Sequence, residues 1–218
     1  MNTKLFEATC LERDKLYESL GKVDNDVIAH IINPAFMGGP AWPALRQAFS
    51  VIRRDDSIII ASNGLSDPFD DLEEVNSGFE VEIIAETKSN IDCDIMDSWL
   101  FRLVYSVSQQ AAQSGQFKTF IDTHNVITME LFAEDDGLEM FQNSNGIVGV
   151  MFGVEHPKRP KNIVFPGGNI TLVTVQVLTP KELEYVVEHR AEGRNTLHQL
   201  FKESGIYHFC DPNRKSLI

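Results

Sequence analysis

The stretch Ser62-Asn63-Gly64-Leu65-Ser66-Asp67-Pro68-Phe69-Asp70-Asp71-Leu72-Glu73-Glu74-Val75-Asn76-Ser77-Gly78-Phe79-Glu80-Val81-Glu82-Ile83-Ile84-Ala85-Glu86 decides the fold. It opens as a turn directly after the apolar run Ile58-Ile59-Ile60-Ala61 and continues as the acidic connector Asp70 to Glu74. From Gly78 to Glu86 it alternates: Phe79, Val81, Ile83 and Ala85 fall on one side, Glu80, Glu82 and Glu86 on the other. Period-two alternation in β-friendly residues predicts a half-buried strand. The unit is strand, acidic turn, strand, and the rest of the chain is expected to pack around it.

Working outward, Leu5 to Leu20 predicts a helix, with Leu5, Phe6, Leu16, Tyr17 and Leu20 inward and Glu12, Arg13, Asp14 and Lys15 on the solvent side. Gly21 closes it. A second short helix is expected over Val27 to Ile32, ended by Asn33-Pro34. These first 36 residues form a helical segment packed on a domain spanning 37–218. The Gly/Pro-dense stretch Phe36 to Pro43 reads as an ordered loop anchored by Trp42, because linkers rarely carry such apolar bulk. No Lys-Ser/Thr follows Gly38-Gly39 in P-loop spacing. Ala44 to Ser50 reads as a short helix, and Asp55-Asp56 as a turn between strands.

Beyond the organising pair, Asp97 or Ser98 caps a helix from Trp99 to Ser114 with the stripe Leu100, Leu103, Val104, Val107, Ala111. Phe117 to Asp122 and Val126 to Phe132 are expected strands. Gly146 to Val154 is nearly all apolar and predicts a central strand covered on both faces. Ile170 to Leu178 is a further strand. Thr179-Pro180-Lys181-Glu182 reads as a capping box with proline at the first helical position. Its helix runs to Glu192, Gly193 ends it, and a shorter helix follows over Thr196 to Ser204. The tail from Ile206 is expected to add an edge strand. Strands and helices mix without regular β-α alternation, so the fold class is α+β: a central mixed, largely antiparallel sheet flanked by helices in one globular domain.

Charge narrows the function. The chain of 218 residues carries 19 basic and 32 acidic side chains, a net −13. Such a surface repels nucleic-acid backbones and anionic membranes. The expected partner is a protein or peptide, basic in character. Cys10, Cys93 and Cys210 are far apart and odd in number, which fits reduced thiols in the cytoplasm. The first residues meet acid at once, unlike a secretory signal.

No residue pattern points to catalysis. The six histidines are scattered, Asp92, Asp94 and Asp97 lack an EF-hand pattern, and no G-x-S-x-G elbow exists. Cys93, His124 and Asp122 have no sequence reason to meet. No metal, cofactor or catalytic residue is expected. Asp67 reads as an acceptor for nearby backbone donors in an Asx-type turn, or as part of a site. Asp70, Asp71, Glu73 and Glu74 read as a solvated face, or as a docking strip for a cationic partner. Arg53 and Arg54 read as solvated or ion-paired, or as an anion or carboxylate contact.

Three features resemble the suppressor of fused family. Gly64-Leu65-Ser66-Asp67 with Phe69 is similar to its most recognisable motif. Ser77-Gly78-Phe79 with Glu82 is similar to the strand that follows. Leu172 to Val177, Thr179-Pro180, Glu182-Leu183, Gly193, Leu197, Leu200 and Phe201 resemble its closing strand and helices. The resemblance covers about residues 40 to 215 and implies an α+β domain without known catalytic activity. Animal members hold transcription factors by clamping an extended peptide between two lobes, and many bacterial members look like immunity proteins. The positions matching the animal peptide contacts are Phe69 and Glu74. This chain is expected to lack a second lobe and has Glu80 where the family has glycine; its length and first forty residues look more like the bacterial type. The resemblance implies a non-catalytic protein that binds and inhibits or neutralises a partner, and joined to the reading of the acidic connector it gives the expected partner-binding residues Asp67, Phe69, Asp70, Asp71, Glu73 and Glu74, together with a sheet edge. A small hydrolase and a homo-oligomeric scaffold subunit are the alternatives.

Overall fold

The computed structural model describes residues 3–132, 137–156 and 158–218. Helix α1 (Thr3–Leu20) leads into the two-residue strands β1 (Lys22–Val23) and β2 (Ile28–Ala29). Strands β3 (Ala48–Arg53), β4 (Ile58–Asn63) and β5 (Val81–Thr87) follow. Next come helices α2 (Trp99–Ser114) and α3 (Phe117–His124), then strands β6 (Ile127–Phe132), β7 (Ile147–Phe152), β8 (Asn162–Phe165) and β9 (Gly168–Val177), and finally α4 (Pro180–Ser204).

The strands form one mixed sheet in the order β1-β3-β4-β5-β9-β7-β6, with β2 on β3 and β8 on β9. Among the described residues only strands β5 and β9 pair in parallel; the other strand pairs are antiparallel. This is the expected α+β architecture. The quoted stretch holds its place in it: β4 and β5 are antiparallel neighbours, Ile60 opposite Ala85, joined by the acidic connector.

Helices cover both faces. Val81, Ile83 and Ala85 of β5 share a core with Leu100, Leu103, Val104 and Val107 of α2 and with Phe117 and Ile121 of α3. On the opposite face, Leu16 and Tyr17 of α1 pack on Ile52, Ile59, Ala61 and Ile84. Beside them Leu183, Val186, Leu197 and Phe201 of α4 pack on Met151. β5 is therefore not half-buried. Glu82 and Glu86 lie on the α1 face, fully buried. β7 is buried on both faces, as its composition predicts, and Gly149 lets Leu183 approach so closely that a Cβ would sit 2.9 Å from its Cδ1.

Several elements differ from the sequence reading. Phe117 to Asp122 is helical, not extended: Phe117 and Ile121 reach the core one turn apart, and Lys118 pairs with Asp122 on the outer side. Val27 to Ile32 is not a helix; it contributes only β2 and a bend. Ala44 to Ser50 is a single 3-10 turn over Pro43–Leu45, and then β3 begins. Ala44 and Leu45 both have positive φ, which no continuing helix permits. Trp42 anchors this loop as expected, edge-on to Phe49. The break in α4 falls at Arg190 (φ 51°), not at Gly193. The capping box of Thr179 and Glu182 forms as read. The tail makes one bridge, Phe209 to Glu86, rather than an edge strand.

Candidate partner-binding surface

The connector leaves β4 at Asn63 and re-enters β5 at Val81, so it lies at the end of the sheet where β3 and β9 begin. A buried ionic cluster fixes its roots. Arg13 of α1 is fully buried; with Thr9, Leu16 and Tyr17 it makes a stripe at i, i+4, i+7, i+8 that faces the sheet. Its guanidinium donates to Asp67 (2.5 Å), Glu82 (3.1 Å) and the Ser66 hydroxyl (3.0 Å). Glu82 also accepts from the backbone N–H groups of Gly64 (3.2 Å) and Ser66 (3.0 Å) and from the Ser62 hydroxyl. Arg46 reaches the second Asp67 oxygen (3.4 Å) and holds Asn63. Burial works against the Arg13 charge, but Glu82 and Asp67 outweigh it and hold its pKa above the ordinary value. Two arginines face two carboxylates, so the cluster is charge-balanced, as a buried ionic group must be.

Asp67 therefore has no surface to offer. It shapes the turn from inside, and its carboxylate serves arginines rather than the backbone donors of an Asx turn. Phe69 is half-buried, edge-on to Phe79 with ring centroids 5.2 Å apart. Asn76 ties the strip together: its Oδ1 accepts from Phe69 N (2.9 Å) and Gly78 N (3.1 Å), and its amide donates to Glu74 O (2.9 Å). Between these points Asp70, Asp71, Glu73 and Glu74 are exposed, and none has a cationic partner among the described residues. Leu72 (52% exposed) and Val75 (66%) stand out among them. The loop over 31–45 adjoins the same end, since Pro43 crowds Gly78 and Arg46 bonds Asp67. It exposes Ile31, Ile32, Phe36, Met37 and Leu45.

Glu80 has φ +57° and is exposed. This is the left-handed region that favours glycine, the residue the family resemblance puts there. Glu80→Gly should raise stability by about 1 kcal/mol. A urea midpoint unchanged or lowered would contradict the strain.

Two further buried carboxylates anchor other segments. Glu182 accepts from Arg214, Thr179 N (2.8 Å) and Leu217 N (2.9 Å), which clamps the tail to the start of α4. Glu86 accepts from Ser57 Oγ (2.6 Å), Arg54 (3.2 Å) and Arg159, with His208 Nε2 3.0 Å away. His156 stacks edge-on to His208, and Pro157 of that basic loop lies outside the described residues. Arg54 is thus ion-paired, and Arg53 is paired with Asp24.

Burial pushes Glu86 up, but the contacts with His208 and Ser57 and the charge of Arg159 hold it at about 2, against an ordinary 4.5. Its stabilisation is complete above pH 4.5 and is lost as pH falls towards 2. His156 is held down at about 4 by burial, His208 and Arg159, so its neutral form is favoured and its share is lost as pH falls from 6.5 to 4. Urea midpoints should therefore fall as pH drops below 6.5, and Glu86→Gln should flatten the segment below 4.5. An unchanged slope would contradict this assignment.

Among the described residues no group of three His, Cys, Asp or Glu side chains is placed to hold a metal. Cys93 is exposed, and Asp122 is engaged by Lys118. No helix among the described residues is long and apolar enough to cross a membrane.

The family model described as Suppressor of fused protein (SUFU) matches residues 47–215, which include the turn, the connector and the buried carboxylates Asp67, Glu82, Glu86 and Glu182, while Arg13 and Arg46 lie before the matched residues. The chain belongs to the suppressor of fused family. Suppressor of fused domains are protein-interaction domains. A comparison with curated protein sequences found no match. Among solved structures, the chain is similar to one described as the Sufu–Fu complex, with a TM-score of 0.61, 14% identity, and coverage of 98% of this chain and 92% of that one. It is similar to Drosophila Suppressor of Fused with a TM-score of 0.61 and 12% identity, over 98% of this chain and 51% of that one. At these identities the likeness is one of fold. The chain spans about half the length of the Drosophila protein.

Proposed function

We propose that this suppressor of fused chain is a non-catalytic cytoplasmic protein that captures a cationic partner protein and inhibits or neutralises it, in the manner of a toxin-immunity protein. The observation that carries this reading is the connector itself: four carboxylates without cations, interleaved with exposed Leu72 and Val75, on a base made rigid by the Arg13 cluster. Apolar anchors supply affinity, while free carboxylates speed the encounter with a basic surface and select for it. The exposed apolar loop over 31–45 extends the surface. Three unpaired cysteines fit a reducing compartment.

The test is a pull-down from the source organism with wild type against Phe69→Ala combined with Glu74→Lys. The expected result is loss of a basic protein from the wild-type set. Identical partner sets would reject this site.

A further inference from the structure

Strand β6 closes one side of the sheet, far from the connector. Its inner edge pairs with β7 in an unbroken register from Ile127↔Phe152 to Phe132↔Ile147. Among the described residues no strand pairs with its outer edge. Natural proteins blunt such edges with proline, lysine, a bulge or a covering element. β6, Ile127-Thr128-Met129-Glu130-Leu131-Phe132, carries no proline, lysine or bulge.

Its side chains divide cleanly. Ile127, Met129 and Leu131 point into the α2 and α3 core. Thr128, Glu130 and Phe132 point to the α4 face, and Phe132 is 79% exposed. α4 packs over β7 and leaves a groove of about 370 Å³ beside the edge, lined by Thr128, Glu130, Val186, Val187, Arg190 and Arg194. Val187 is 57% exposed. The groove holds one carboxylate and two guanidinium groups, yet no ion pair joins Glu130 to Arg190 or Arg194. The backbone of α4 breaks at Arg190, which sits at φ 51°.

These features are self-complementary. We infer that two copies of this chain pair β6 to β6, antiparallel, across a two-fold axis perpendicular to the sheet. That axis keeps both α4 helices on the same face. Each Glu130 then faces the other copy's Arg190 and Arg194, and Phe132 and Val187 are covered. An isologous contact of this kind needs only one patch and its own copy. The backbone bonds of strand addition supply affinity and the charges fix the register. A net −13 on each copy opposes association, so the arginines are required. This inference is independent of the connector as a binding surface.

Sedimentation equilibrium over a nanomolar-to-submillimolar dilution series tests it. Wild type should pass from one chain mass to two. Glu130→Arg, and separately Arg190→Glu with Arg194→Glu, should each raise the dimer Kd by at least about tenfold, because like charges then face one another. These positions are on the surface, so circular dichroism should show folded chains. Mixing the two variants should restore two-chain particles, since opposite charges meet again. A wild type that stays at one chain mass overturns the inference. So do variants that dimerise as wild type does, and so does a mixture that fails to associate.

Discussion

Arg13→Ala should lower the stability of the chain by roughly 3–5 kcal/mol, the usual cost of removing one partner from a buried ion pair. The loss comes from what remains. Asp67 and Glu82 are fully buried, and without Arg13 only the partly exposed Arg46 stays near Asp67, while Glu82 keeps no cation. Urea denaturation measures the effect. The charge-neutral replacement separates the cause from lost packing: Arg13→Met with Glu82→Gln and Asp67→Asn should recover part of the stability, because no buried charge is left unpaired and the carbonyl of the new glutamine can still accept from Gly64 N and Ser66 N. A single Arg13→Ala variant within about 1 kcal/mol of wild type, the scale of an exposed pair, would show that the cluster is hydrated.

Gly78→Ala should cost about 3 kcal/mol. Gly78 has φ +54°, and a Cβ there would lie 2.3 Å from Asp67 O, 2.7 Å from Leu65 O and 2.7 Å from Pro43 Cγ. Two of these are backbone atoms of the turn, which cannot rotate away. Gly146→Ala is the control. Its φ is +73° but nothing lies within 4 Å, so it should cost only the conformational penalty, about 1 kcal/mol. Equal losses at the two positions would mean that the turn yields. Because Asp67 and Pro43 would move together, Gly78→Ala should also weaken the proposed partner capture beyond its effect on stability.

The strand pair was legible because its two signals agree: Ile58 to Ala61 is an apolar run rich in β-branched isoleucine, and Gly78 to Glu86 alternates. Alternation separates the faces of a strand but does not say what covers each. Glu82 and Glu86 therefore read as outward, although Arg13 of α1 covers the first and Arg159 and His208 cover the second. The missed signal lay far away in sequence. Arg13 shares the spacing of Thr9, Leu16 and Tyr17, which places a charge on the buried stripe, and a buried arginine requires carboxylates. Phe117 to Asp122 misled because aromatic and β-branched residues favour strands, while the Phe117/Ile121 and Lys118/Asp122 spacings are helical. The Arg190 kink carries no local sequence cue; Gly193, the apparent breaker, is needed instead for close approach to His189 Cβ and Tyr185 O.

The exposed positions of the connector, Asp70, Asp71, Glu73 and Glu74, follow from sequence alone, since acidic residues beside turn formers stay in water; the half-buried contact of Phe69 with Phe79 does not. Asp67 does not, because its role depends on Arg13 and Arg46, whose distance from it in sequence hides the contact.

Hydrogen–deuterium exchange of the chain, alone and with the basic protein recovered in the pull-down, addresses the central claim most directly. Slower exchange over 69–76 and 31–45, abolished when Asp70, Asp71, Glu73 and Glu74 are replaced by lysine, is the expected result. Protection confined to other surfaces, or unchanged by those replacements, would contradict it.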